Sequence, residues 1–170
     1  MPAKPPDAVP GFRISASLYR PMTNSSSPAD HGTAGSPWQK SIDLPSERGA
    51  SKLIMDDLLD KLGQHGWPSA DIFSIHLAAE EAIVNAIVHG NKLDESKKVH
   101  VECYVSPTVA RIEITDEGDG FDPKEVPDCT QDDRLDVPSG RGVMLIQNFM
   151  TRVEYSEKGN RVLMEKARDK

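Results

Sequence analysis

Three groups of residues in this chain have types and spacings that can do chemistry. Glu81, Asn85 and His89 recur at four-residue steps, which on a helix stacks them into one polar stripe. Ile72, Ala79, Ile83 and Ile87 fall on the opposite side, with Leu77, Val84 and Val88 on one flank and Ala78 and Ala82 on the other. A polar line on an otherwise apolar helix is not a solvated face. Either it faces a cleft, or Glu81 and Asn85 are satisfied within the core by capping neighbouring backbone groups. The second group is Asp116-Glu117-Gly118-Asp119-Gly120, at the end of the strand-like run Ala110-Arg111-Ile112-Glu113-Ile114-Thr115. Strand alternation puts Ile112, Ile114 and Asp116 on one face. A carboxylate on a core-facing row is costly unless something donates a hydrogen bond to it, and glycines let the backbone turn tightly and approach a ligand. The group therefore reads as a pocket for a ligand with N–H donors. The third group is Gly140-Arg141-Gly142, ahead of Val143-Met144-Leu145-Ile146. Free amides at a helix start, here around Gly140–Val143, attract phosphate. The same residues also fit an ordinary glycine loop before a helix.

Those groups need a scaffold, and the periodicity of the chain supplies one. An alternating edge strand begins near Trp38. Pro45-Ser46-Glu47 reads as a turn and helix start, followed by Leu53, Ile54, Leu58, Leu59 and Leu62 at helical spacing. Gly63 and Gly66-Trp67-Pro68 end that helix. Ser69 or Asp71 can cap a second helix that runs to about His89 and stops at Gly90-Asn91. Lys98–Ser106 and Val109–Asp116 form a hairpin, and Arg152–Ser156 with Arg161–Lys166 form another around Lys158-Gly159-Asn160. A short helix spans Gly142–Met150. Residues 122–139 form a long polar loop with prolines, a functional or mobile element in a compact domain. The expected fold is α+β, a two-layer sandwich with a mixed, mainly antiparallel sheet under helices.

Composition narrows the classes. With 170 residues, 37% hydrophobic and 28% charged, the chain can bury one domain and carry a tail. Residues 1–37, rich in Pro, Ser, Ala and Gly, read as that tail, disordered or weakly ordered, and 38–170 as the domain. A net charge of -7 argues against nucleic acid as a direct partner. No apolar run reads as a membrane span, and the N-terminus lacks the apolar core of a signal peptide. Cys103 and Cys129 make neither a disulfide framework nor a zinc set and are expected as free thiols in a reducing cytoplasm. A P-loop is missing, Pro123 spoils a dinucleotide fingerprint, and the histidines lack zinc spacing.

Taken in order, the motifs resemble those of a known superfamily. Glu81-Ala82-Ile83-Val84-Asn85-Ala86-Ile87-Val88-His89-Gly90 resembles the N-box of the GHKL, or Bergerat-fold, ATPases. Asp116-Glu117-Gly118-Asp119-Gly120 resembles their first glycine box, and Ser139-Gly140-Arg141-Gly142 the second. The compact size and Met144–Met150 are similar to the bacterial anti-sigma factor serine kinases of partner-switching systems, over residues from about 38 to 167. The resemblance implies ATP and Mg²⁺ as cofactors. It implies that Asp116 accepts a hydrogen bond from the adenine amino group, and that Gly118 and Gly120 let the backbone pass the nucleotide. Asn85 would offer its amide oxygen to Mg²⁺, with His89 on the same stripe beside the nucleotide. Glu81 would be the general base toward a serine hydroxyl. The amides of Gly140, Arg141, Gly142 and Val143 would hold phosphates, and residues 122–139 would form an ATP lid.

The implied function is an ATP-dependent serine/threonine-protein kinase that phosphorylates a small anti-sigma-factor antagonist and sequesters a sigma factor or an equivalent output protein. A homodimer is compatible with it. Two departures stand out. Asp136-Val137-Pro138-Ser139 replaces the basic residue that the family often has before the second glycine box, so Arg141 is assigned to the γ-phosphate. Gly159-Asn160-Arg161 stands where a late threonine is often seen near adenine. One alternative is a nucleotide-ordered binding module that exchanges partners without phosphorylating them; another is a histidine-kinase catalytic domain separated from a His-bearing dimerisation helix, against which residues 1–37 lack helical periodicity.

Overall fold

The computed structural model describes residues 35–120 and 139–168. The tail before residue 35, most of the expected lid and Cys129 lie outside the described residues. Among the described residues five strands form one sheet in the order β1-β2-β3-β5-β4. They are β1 (Trp38–Pro45), β2 (Lys98–Val105), β3 (Val109–Asp116), β4 (Arg152–Tyr155) and β5 (Arg161–Ala167). All four described pairings are antiparallel, and both expected hairpins, β2–β3 and β4–β5, are present. The fold is an α+β sandwich.

Alternation sorts the strands into two faces. Leu44, Val99, Val101, Cys103, Val105, Ala110, Ile112, Ile114, Val162 and Met164 are buried in the apolar core. Burial pushes the Cys103 thiol up to about 12, so it stays protonated. The other face carries charges matched across strands, such as Arg111 with Glu165 at 2.9 Å and Arg161 with Glu113 at 3.5 Å.

Among the described residues three helices cover the apolar face: α1 (Lys52–Gln64), α2 (Ser69–Asn85) and α3 (Ser139–Phe149). Helix α1 starts five residues later than Glu47, because Gly49 takes a left-handed φ of 84° that no α-helix accommodates. It buries Ile54, Met55, Leu58 and Leu62, while Leu53 faces outward. At the start of α2 the cap position falls to Pro68, with no side-chain cap bond. Ser69 is the first helical residue, and Asp71 lies in the first turn, where the helix dipole favours an acid. Beyond Asn85 the helix widens into a π-helical turn, Ala86–Gly90. The Asn91 N–H closes it on the Ala86 carbonyl at 2.8 Å, a five-residue step.

The turn corrects one expectation. With it, Ser69–Gly90 is a continuous helix of 22 residues, long and apolar enough by length and composition to cross a membrane. A run broken by Glu80 and Glu81 does not show this length in sequence. Its Ile75, Ala79, Ile83 and Ile87 are buried in the same core as the sheet, the place of a core helix.

Candidate functional site

Two constellations form along α2 and its π turn. At the first, Gly142 in the first turn of α3 lies against Glu81 and Asn85. A Cβ at Gly142 would fall inside contact distance of Glu81 Oε1 and 2.9 Å from Asn85 Nδ2. Only a residue without a side chain lets α3 come this close to the two polar groups. Both are half-buried. Among the described residues neither the Glu81 carboxylate nor the Asn85 amide has a hydrogen-bond partner. The capping alternative is therefore not what these side chains do among those residues.

Helix α3 begins at Ser139, three residues before the expected start. The amides that an α-helix leaves without internal partners are thus those around Ser139, Gly140 and Arg141. Val143 lies one turn further in and is buried. Gly140, Arg141 and Gly142 belong to the helix's first turn rather than to a loop ahead of it.

The second constellation surrounds Asp116. As strand parity requires, Asp116 continues the buried row of Ile112 and Ile114 and is 8% exposed. Its Oδ1 accepts the Gly118 N–H at 2.8 Å. Its Oδ2 has no donor among the described residues. Burial pushes the carboxyl above the ordinary aspartate range, against the Gly118 hydrogen bond and the charges of Lys158 and Lys97. Gly90, at the end of the π turn, presses on this carboxylate, and a Cβ there would overlap Oδ2.

The glycines of the Asp116 turn are also needed for packing. Added side chains would collide with the Gly90 carbonyl at Gly118 and with the Lys158 carbonyl at Gly120, whose φ is 81°. A structural reason thus stands beside the ligand-approach reading. His89 lies in the π turn and is exposed. Unlike the half-buried Glu81 and Asn85, it is open to solvent. Arg141 is placed only by its backbone in α3.

Two asparagines close to the site are not evident from sequence. Asn160 brackets the Asp116 backbone: its carbonyl accepts the Asp116 N–H at 2.9 Å, and its Nδ2 donates to the Asp116 carbonyl at 3.0 Å. Asn91 holds the next peptide, with Oδ1 accepting the Glu117 N–H at 2.8 Å. Position 91 reads as a helix stop and 160 as a turn residue, and no local pattern marks either as wiring for the Asp116 turn.

The residues from 44 to 166 match the family model of the histidine kinase-like ATPase domain. This chain belongs to the histidine kinase-like ATPase family. Within it, the protein is similar to the anti-sigma F factor of Oceanobacillus iheyensis, 35% identical over 102 residues, which cover 56% of this chain and 69% of that one. It is equally similar to the anti-sigma F factor of Clostridium perfringens, 35% over 102 residues, covering 56% and 72%. Its fold resembles the crystal structure of the RsbU and RsbW domains of Rv1364c from Mycobacterium tuberculosis, with a TM-score of 0.52 at 16% identity. That match covers 76% of this ATPase-family chain and 32% of the larger one. Residues 81–90, 116–120 and 139–142 fall inside the matched span.

Proposed function

We propose that this chain is an ATP-dependent protein serine/threonine kinase of the partner-switching type. It phosphorylates a small anti-sigma-factor antagonist and, by binding, sequesters a sigma factor or an equivalent output protein. The observation that carries this reading is the meeting of Glu81 and Asn85 at Gly142, two polar side chains without partners among the described residues. Glu81 would take the proton of an attacking hydroxyl as general base. The amides at the start of α3, aided by the helix dipole, suit phosphate oxygens. Asp116, with Oδ2 open to a donor, suits the amino group of adenine.

The donor set also fits Mg²⁺. No cluster of three or more His, Cys, Asp or Glu gathers for a metal among the described residues. Mg²⁺ needs none, since one or two protein oxygens suffice beside phosphates and water. The Asn85 amide oxygen would hold it, and the ion when bound supplies charge neutralisation on the phosphates. Arg141 is assigned to the γ-phosphate, and Gly118, Gly120, Val143 and His89 to the surroundings of the nucleotide.

The sigma-factor partner is supported by the relatives' printed names; the antagonist and a cytoplasmic location are proposed from the motif resemblance. The binding-only reading has one observation in its favour, the lack of a basic residue in Asp136-Val137-Pro138-Ser139. Incubation with γ-labelled ATP, Mg²⁺ and the antagonist encoded in the same genome separates the two. Label on an antagonist serine or threonine is expected. Tight ATP binding with no label would establish the binding module instead.

A further inference from the structure

We infer that Asn91 is a positioning residue for the adenine-recognising end of the site, acting on Asp116 from both sides without touching a ligand. The inference rests on the nucleotide reading of Asp116. Asn91 is fully buried. Its amide uses both of its ends: Nδ2 donates to Ser46 Oγ at 2.7 Å and to the Lys98 carbonyl at 2.8 Å, while Oδ1 accepts from the Glu117 N–H at 2.8 Å.

Its neighbours complete a closed network. Ser46 Oγ donates to the Lys97 carbonyl at 2.8 Å, and the Lys98 N–H donates to the Glu117 carboxylate. The end of β1, the start of β2 and the turn after β3 are thereby tied at one point. Each end of the amide has its proper partner, so the network fixes one geometry.

Two of these ties bear on Asp116. Through Oδ1, Asn91 holds the peptide that directly follows Asp116 and leads to Gly118, whose N–H binds the Asp116 carboxylate. Through its own N–H, Asn91 closes the π turn on Ala86. That closure sets the position of Gly90, which presses on the same carboxylate. Asp116 is thus bounded by Gly90 and Glu117, and Asn91 anchors both. The chain beyond it supports the same closure: Lys92 and Leu93 take left-handed φ angles of 55° and 58°, and the Leu93 N–H reaches the Ile87 carbonyl at 2.9 Å. A leucine holds such a conformation only where its surroundings impose it.

The test uses base discrimination, which a general loss of stability does not change selectively. Affinities for ATP and for inosine triphosphate, which has a carbonyl in place of the amino group, are measured by calorimetry with Mg²⁺. The full-length wild type is compared with Asn91→Asp and Ser46→Ala. Asn91→Asp keeps the acceptor for Glu117 and loses both donors; Ser46→Ala removes one arm of the network and leaves the amide in place. Asn91→Asp is expected to weaken ATP about tenfold and inosine triphosphate less than about twofold, so that the preference for ATP collapses. Ser46→Ala is expected to shift the preference in the same direction by about threefold, and it decides the matter if Asn91→Asp does not fold. Equal losses for both nucleotides, or an unchanged preference in the folded variants, would overturn the positioning role. A wild type that binds both nucleotides equally would overturn the adenine reading of Asp116, and this inference with it.

Discussion

Two polar clusters lie on opposite faces of the same sheet, and they differ in what satisfies them. On the open face, His100 Nδ1 meets Asp43 Oδ1 at 2.6 Å, and its Nε2 meets Glu102 at 3.1 Å and Ser41 Oγ at 3.3 Å. Serine, histidine and aspartate stand in the sequence of contacts used by hydrolases. Yet the His100 and Asp43 side chains are 42% and 67% exposed, and Glu102 competes with Ser41 for Nε2. Every member is paired, and water reaches all of them. On the helix side, Glu81, Asn85 and one oxygen of Asp116 have no protein partners among the described residues although the groups are buried or half-buried. No fully buried side-chain nitrogen or oxygen among the described residues lacks a partner, so these unpaired atoms remain reachable from solvent, as atoms that meet a ligand must. The contrast identifies a site better than residue types do.

Substitutions on the helix side should therefore remove function, and those on the open face should not. Glu81→Gln is expected to retain nucleotide binding and slow phosphotransfer by roughly 10²–10⁴-fold, the range for a lost general base. Rapid-quench assays check this, and an undiminished rate would move the base elsewhere. Gly142→Ala comes next. Its Cβ overlaps Glu81 Oε1, and displacing a reacting group by about 1 Å costs on the order of 10²-fold. Transfer by a folded Gly142→Ala at the wild-type rate would show that α3 does not press on this pair.

The pH dependence of binding sharpens the comparison. Burial raises the Asp116 pKa, and the ionised form is the better acceptor for an amino group. ATP affinity should fall as pH is lowered, beginning above the pH at which an exposed aspartate titrates and approaching about tenfold. Without ligand the sign is opposite, since a raised acid pKa favours the folded state at low pH and costs stability as pH rises through it. Titrations at stepped pH, with Asp116→Asn as the control lacking this slope, test both statements.

The smallest effect belongs to the open face. His100 has its pKa raised above 6.5, first by the Asp43 hydrogen bond and then by Glu102, with burial opposing. Its contribution is fully present below the unfolded-state pKa and is lost as pH rises through the raised folded value. At this exposure screening keeps it small, and His100→Ala should cost less than about 1 kcal/mol near pH 6 and less still at pH 8. Urea melts at the two pH values measure it. ATP affinity should not change.

The scaffold was largely legible because its signals are local. Alternation in β2 and β3, the two hairpin turns and the apolar periods of α1 and α2 each follow from nearby residues. Strand parity alone put Asp116 on the core-facing row with Ile112 and Ile114. The misreadings arise where backbone geometry departs from ideal periods. Gly49 delays α1, and after Asn85 the helix widens into a π turn, which a 3.6-residue wheel cannot anticipate. The wiring of Asn91 joins positions 46, 98 and 117, contacts set by tertiary packing that no local pattern contains.

The central claim is that the unpartnered polar groups on the helix side bind ATP, and Asp116 tests it most directly. Calorimetric titration of ATP with Mg²⁺ into the wild type, Asp116→Asn and His100→Ala decides it. Loss of a charge-assisted hydrogen bond of about 1.5–3 kcal/mol predicts that Asp116→Asn weakens ATP by about one to two decades, with the fold intact and His100→Ala unchanged. Equal ATP affinity in the wild type and a folded Asp116→Asn would contradict the account.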